Sequence, residues 1–474
     1  MKKSMNSQGY TALIVGFGVS GTSAARHLLA QNVPFDIADQ DVVRAESALR
    51  GIAEQSPGVD VNAINLIDEA WTVDLFSRYD CLVVSPGVST RSEHFRAARE
   101  AGVEVVGDVE LFARLTTKPV IAVTGSNGKS TVVNMTGEIL RAAGLRIAVI
   151  GNVGHACLDG LDDDAIDVYV LELSSFQLET TESLQPVVST VLNVSEDHMD
   201  RYTDLADYAS VKRLVYSKAT CAVVNADDAL TIPDGDYDGE VVRFSSNTLA
   251  QGESFAAWAL TQIEDGGITM QGPDGICVDS SVLQIDGSHN QSNALVSMAL
   301  VDSLFRHATS LPLKGPVASE FNRLCAAGLD QFVGLPHRTQ LVRRNSGISW
   351  FNDSKGTNVG ACVSAIQGLT GPVVLIAGGQ GKGADFSPLS EVVAQKCRAV
   401  VLIGEDAEKI RVALGDCVPV YLEASLTDAV DRASVLARSG DSVLLSPACA
   451  SFDMFANFEA RGDAFADEVN RLCA

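Results

Sequence analysis

The sequence predicts three α/β domains in series, and three observations carry that reading. Two glycine-rich loops, Gly16–Gly21 and Thr124–Thr131, each join an apolar strand to a helix. A further run of strand–helix alternation begins after the punctuating Gly334-Leu335-Pro336. The 474 residues are too many for one ordinary domain, and a chain that is 46% hydrophobic and 20% charged can bury several cores. The bounds read from these breaks are 1–107, 108–333 and 334–474.

In the first segment, Thr11–Val15, Phe35–Ala38 and Cys81–Val84 read as strands, with helical spacing over Gly21–Gln31 and Glu93–Ala101. This βαβ rhythm predicts a parallel, Rossmann-like sheet. Gly16-Phe17-Gly18-Val19-Ser20-Gly21 is a complete G-x-G-x-x-G between strand and helix. Its glycines allow a diphosphate to approach the free N–H groups of the helix start. The acidic residue expected about 20 positions later, to hold a ribose, can be Asp36 or Asp39. Ser85-Pro86-Gly87 ends the third strand on the ligand-binding edge, although it can also be a plain turn. By itself the motif fits a nicotinamide-dependent dehydrogenase, a binder of some other nucleotide diphosphate, or a tight turn with nothing bound.

The central segment opens with strand Val120–Val123, a loop, and a helix over about Ser130–Ala143. Thr124-Gly125-Ser126-Asn127-Gly128-Lys129-Ser130-Thr131 carries the core of a P-loop, with its first glycine closer in than the usual spacing. Backbone N–H groups cradle phosphates there, Lys129 meets the β/γ oxygens, and the Ser130 hydroxyl suits Mg²⁺. Glu172, leaving strand Val168–Leu171, is the expected metal-organising carboxylate, while Ser174 or Ser175 can cap the next helix. Strands follow at Ile147–Ile150, Val188–Leu192 and Cys221–Val224; β-hairpins are expected between about Asp234 and Ile285, and a helix over His289–Phe305. The third segment alternates strands Ser349–Asn352, Val373–Ala377, Ala399–Ile403 and Ser442–Leu445 with helices, again in Rossmann-like fashion.

Thirty-five basic against sixty acidic residues leave a formal charge of −25, which disfavours nucleic acid and anionic membranes as partners. No apolar run reaches the roughly 18 residues of a membrane span, and Met1–Tyr10 lacks a signal-peptide stretch. Ten scattered cysteines without a C-x-x-C pair read as reduced, mostly buried thiols. A cytoplasmic monomer is expected. No histidine pair has ligand spacing, and no nucleophile elbow supports a hydrolase.

Several stretches together resemble the Mur ligase family, whose enzymes build the peptide stem of bacterial cell-wall precursors. They are Thr124–Thr131, Gly151-Asn152-Val153-Gly154, Glu172–Glu179, Asn193–Arg201, Gly334–Arg338, Asn352-Asp353-Ser354-Lys355, Gly378–Phe386 and Ser446–Ser451. The resemblance runs from about Thr11 to Ala466. It implies ATP-dependent joining of D-glutamate to UDP-N-acetylmuramoyl-L-alanine, through an acyl phosphate and a tetrahedral intermediate. A sibling activity, using L-glutamate or another amino acid, is the alternative; folylpolyglutamate synthesis and nucleotide sensing fit less well.

The same resemblance assigns residues. Val19, Ser20, Asp39 and Gly87, with Asn152, would hold the uridine substrate, so that Gly16–Gly21 binds UDP and not nicotinamide. Gly125, Ser126, Asn127, Gly128, Lys129, Ser130 and Thr131, with Asn290, Asn293, Arg338 and Asp353, would hold ATP. Ser130 and Glu172 imply one Mg²⁺ site; His198 and Lys212, the latter as N6-carboxylysine, imply a second. Lys355 would lie beside the transferred phosphoryl. Thr357, Lys382, Ser451 and Phe458 would receive glutamate.

Overall fold

Five short parallel strands build the first sheet, in the spatial order Leu66–Ile67, Phe35–Ala38, Ala12–Val15, Cys81–Val84, Glu104–Val106. The computed structural model describes residues 9–55, 61–161, 163, 165–250, 258–285, 287–311 and 317–472. Ala12–Val15 and Cys81–Val84 are wholly buried, as parallel strands covered on both faces must be. The strand order reverses between them, so the Gly16 turn and Ser85-Pro86-Gly87 leave the same carboxyl edge side by side. A helix over Val42–Gln55, absent from the sequence reading, covers one flank.

Among the described residues, the central sheet has nine strands. Its parallel heart runs Cys221–Asn225, Val188–Val191, Val120–Thr124, Val168–Glu172, Ile147–Gly151. Helix Lys129–Ala142 packs against helices Ser288–His307 and Ala318–Gln331, the second of which the sequence reading missed. The expected hairpins are only half present. Trp258–Gln262, Ile268–Gln271 and Cys277–Asp279 are antiparallel, but Glu240–Leu249 runs parallel to both Cys221–Asn225 and Trp258–Gln262. Alternation marks a strand without giving its direction; the stretch 226–239 is long enough for the crossover that parallel pairing requires. Residues 251–257, within the same expected hairpin region, lie outside the described residues, as does Cys473.

The third sheet orders Gln340–Asn345, Ile348–Asn352, Ser442–Leu445, Val373–Gly378, Cys397–Ile403, Val420–Leu422, with only the first strand antiparallel. The loops after Asn352, Gly378 and Leu445 leave one carboxyl edge together. Cys81, Cys157, Cys221, Cys325, Cys362 and Cys449 are buried, Cys277 and Cys417 are exposed, and every described cysteine is free. Among the described residues, no helix is long and apolar enough to cross a membrane.

Candidate active site

Gly128 takes φ +85°, a left-handed conformation that glycine adopts without strain, and starts helix Lys129–Ala142 with no side-chain cap. The first N–H groups of that helix are therefore free for an anion. A Cβ at Gly128 would sit 2.8 Å from Asn293 Oδ1, so the glycine also admits the asparagine to the loop. Asn293 Nδ2 in turn donates to Asn290 Oδ1 at 3.4 Å.

Around the loop, the Ser130 hydroxyl donates to Glu172 Oε2, and Asn152 Nδ2 donates to Glu172 Oε1 at 2.8 Å. Ser174 caps the following short helix in a reciprocal capping box with Gln177, which leaves Glu172 for the site. Lys129 Nζ donates to the carbonyls of Gly125 and Ser126 at 2.7 and 2.9 Å. Lys212 is buried and reaches the same Gly125 carbonyl at 2.9 Å. Burial pushes both lysines below their ordinary range, Lys212 well below, and the Lys129 cation lowers Lys212 further. His198 has a left-handed backbone, φ +58°, and its ring is 4.7 Å from that of Phe176. Burial lowers its pKa, favouring the neutral imidazole that a metal would need.

The third domain reaches into this site. Arg338 donates to Ser130 Oγ at 2.6 Å, and burial lowers its pKa. Asn358, which the sequence reading missed, caps helix Val359–Gly368 and exchanges hydrogen bonds with Asn127 at 3.2 and 3.4 Å. A cap signal was readable at Asn358, but its partner on the P-loop was not. Asp353 accepts from Ser446 Oγ at 2.7 Å and from the Thr339 N–H at 3.0 Å; burial raises its pKa to about 6. Lys355 lies 3.9 Å over the Phe458 ring, and burial first, then Arg338, lowers its pKa to about 8. A cleft of about 340 Å³ between the two domains is lined by Asn127, Gly128, Asn290, Asn293, Asp353 and Lys355.

The glycine-rich loop carrying Lys382 pairs with the Ser446–Ser451 loop through two Gln380–Ala450 backbone hydrogen bonds. Lys382 and the buried Ser451 thus sit on neighbouring segments, and Thr357 adjoins Asn358. Arg461, also missed, is fully buried and donates to Ser354 O, Ser354 Oγ and Cys449 O, joining the Lys355 loop to this segment.

Val19, Ser20, Asp39 and Gly87 gather separately, on the carboxyl edge of the first sheet. Asp39 accepts from the Phe17 N–H at 2.5 Å, closing the glycine turn, whereas Asp36 is engaged by Tyr79 and Asn65. The sequence left those two aspartates open; only Asp39 stands at the turn. A Cβ at Gly21 would lie 2.2 Å from Gly16 O, so a side chain there would break the close approach of helix and turn.

Residues 10–107, 123–301 and 337–449 match the descriptions "Mur ligase MurD-like, N-terminal domain", "Mur ligase middle domain" and "Mur ligase, glutamate ligase domain". This chain belongs to the Mur ligase family. Relatives called UDP-N-acetylmuramoylalanine--D-glutamate ligase share 44% identity in Pseudomonas putida, over 97% of both chains. The Pseudomonas aeruginosa protein of that name shares 46%, over 97% of this chain and 98% of its own. Solved Mur ligase folds include MurC from Thermotoga maritima, with a TM-score of 0.56 and 17% identity over 98% of this chain and 99% of that one. Folylpolyglutamate synthase from Mycobacterium tuberculosis shares the fold at TM-score 0.54 and 17% identity, over 76% of this chain and 94% of its own.

Oxygen donors converge at the start of the P-loop helix. Ser130 and Glu172 are hard ligands of the kind Mg²⁺ prefers, and Mg²⁺ commonly completes its shell with water and phosphate. Among the described residues, no three His, Cys, Asp or Glu side chains cluster as a metal cage. Ser130 and Glu172 alone would give a Mg²⁺ only part of its shell.

Proposed function

We propose that this chain is an ATP-dependent amide ligase joining the amino group of D-glutamate to the carboxylate of UDP-N-acetylmuramoyl-L-alanine. The observation that carries the reading is near-full-length identity, 44–46%, to ligases of that name. The geometry suits the chemistry. A carboxylate resists attack by an amine because it is anionic and lacks a good leaving group. Transfer of the ATP γ-phosphoryl to it makes an acyl phosphate, which the amine attacks to give a tetrahedral intermediate that expels phosphate.

Lys129 and the uncapped helix start would hold the ATP phosphates, with Gly125, Ser126, Asn127, Gly128, Ser130 and Thr131 forming the cradle. Asn290, Asn293 and Asp353 would hold the rest of the nucleotide; Arg338 and Lys355 would neutralise the phosphoryl in flight. Val19, Ser20, Asp39, Gly87 and Asn152 would hold the uridine substrate. Thr357, Lys382, Ser451 and Phe458 would receive D-glutamate. Ser130 and Glu172 would hold one Mg²⁺, and His198 with N6-carboxylated Lys212 a second. Such ions, when bound, offset charge on the transferred phosphoryl. The free cysteines suit a reducing, cytoplasmic setting.

Phosphate release tests the reading. With ATP, Mg²⁺ and UDP-N-acetylmuramoyl-L-alanine, a panel of amino acids including both glutamate enantiomers should give release with D-glutamate alone. Release without the uridine substrate would overturn it, and preference for L-glutamate would move the chain to a sibling activity.

A further inference from the structure

Arg201 ends a tight turn that its N–H closes on His198 O at 2.9 Å. Its guanidinium reaches into the first domain, donating to Pro86 O at 3.0 Å and Val88 O at 3.4 Å, either side of Gly87. It lies 3.9 Å from the centre of the Phe176 ring, the ring that packs on His198, and it pairs with Glu179. The other oxygen of Glu179 accepts from Arg91 Nε at 2.9 Å. Arg91, from the same first-domain loop, forks onto both oxygens of Asp207 at 2.6 and 3.0 Å. Asp207 stands in the first turn of helix Leu205–Arg213, which carries Lys212.

Arg201 and Glu179 have side chains only 8% and 7% exposed. An ion pair so far from water gains little net stability, because desolvation offsets the attraction. What it fixes is geometry. One carboxylate holds two arginines, and those arginines join the Gly87 loop to the His198 turn and to the Lys212 helix.

We propose that Glu179, Arg201 and Arg91 are positioning residues that couple occupancy of the Gly87 loop to the placement of His198 and Lys212. This rests on the roles proposed above for the uridine and Mg²⁺ sites. A ligand that settles residues 86–91 restrains both arginines, and through them the two elements facing the P-loop. Coupling of this kind is reciprocal, so Mg²⁺ must tighten the uridine substrate as the uridine substrate tightens Mg²⁺.

The experiment is a grid of initial rates against UDP-N-acetylmuramoyl-L-alanine and Mg²⁺, with full-length protein. In the parent, saturating uridine substrate should lower the half-saturating Mg²⁺ concentration by roughly fivefold. Glu179→Gln removes the shared charge with little change of shape. It should abolish that dependence and raise the KM for the uridine substrate about tenfold, while the KM for ATP moves less than about twofold. Arg91→Ala, at the solvent end, should weaken the dependence in the same direction and serves if Glu179→Gln does not fold. A parent without the dependence, variants that keep it, or equal rises in every KM would overturn the relay. Calorimetric titration of the parent with the uridine nucleotide separates the two ideas. Absence of binding overturns the site and the relay together, whereas binding with unaltered coupling in the variants overturns the relay alone.

Discussion

Lys129 and Lys212 donate to one acceptor, the carbonyl oxygen of Gly125, at 2.7 and 2.9 Å. Two ammonium groups on a single buried carbonyl repel each other with little water to screen them. Burial already disfavours the charged form of both, and more strongly for Lys212. The fold therefore drives Lys212 furthest toward the neutral amine, while Lys129 is the lysine proposed for phosphate. A neutral amine is the species that adds CO₂, and the proposed carbamate would exchange a cation for an anion beside Lys129.

Lys212→Ala should lower turnover by at least about a hundredfold, on the scale of losing one preorganised charge-stabilising group. Short carboxylates should restore part of it by standing in for the carbamate. Lys129→Ala should be equally impaired and gain nothing from carboxylates, because a cation is missing there. Steady-state rates with and without added formate or acetate check both, and intact-protein mass after mild handling in bicarbonate should reveal one bound CO₂. No rescue of a folded Lys212→Ala protein would remove the carbamate from the scheme.

The pH profile of kcat/KM for ATP, which reports the free enzyme, should be bell-shaped. Burial holds Lys355 down to about 8, so its charge is present below that pH and lost above it. Burial holds Asp353 up to about 6, so the carboxylate is present above that pH and lost below. Rates should fall about tenfold per pH unit beyond each limb. Lys355→Arg should move the alkaline limb upward and leave the acid limb in place; an unmoved alkaline limb would assign it to another group.

How far this was legible in the chain depends on the distance over which each residue acts. Gly128 and Lys129 were readable because the P-loop needs its left-handed glycine and its lysine within a few positions. The strand Cys81–Val84 and the Val443–Leu445 part of Ser442–Leu445 were readable because burial on both faces leaves an unbroken apolar run. Asn127 and Asn358 are 231 positions apart, and no local pattern joins them. Glu179 and Arg91 look like solvated charges until the first and central domains are packed together. The direction of Glu240–Leu249 was hidden for the same reason, since pairing is a property of the neighbour.

Arg338 spans the domains to donate to Ser130 Oγ at 2.6 Å. If Ser130 holds Mg²⁺ as proposed, a guanidinium could not share that hydroxyl without strong repulsion, and Arg338 would turn toward the phosphates. Arg338→Lys retains a charge but loses the planar fork. Its kcat should fall about a hundredfold, with the KM for the uridine substrate unchanged. A rise confined to that KM would place Arg338 outside the phosphoryl-transfer step.

Gly328 tests a purely structural contact. It lies in helix Ala318–Gln331, where a Cβ would stand 2.5 Å from the Ile139 Cα of the P-loop helix. On an isolated helix, alanine would gain about 1 kcal/mol over glycine. Here the clash is with backbone, which cannot rotate away, and overpacking costs about 1–3 kcal/mol. The clash should win, so Gly328→Ala should lower the thermal midpoint while kcat per folded molecule stays within about twofold, since Gly328 meets the helix at Ile139, near its C-terminal end and away from the Gly128 loop. Calorimetry paired with phosphate-release rates checks this. A raised midpoint would mean that the two helices move apart readily, and that the P-loop helix is held mainly by Ser288–His307.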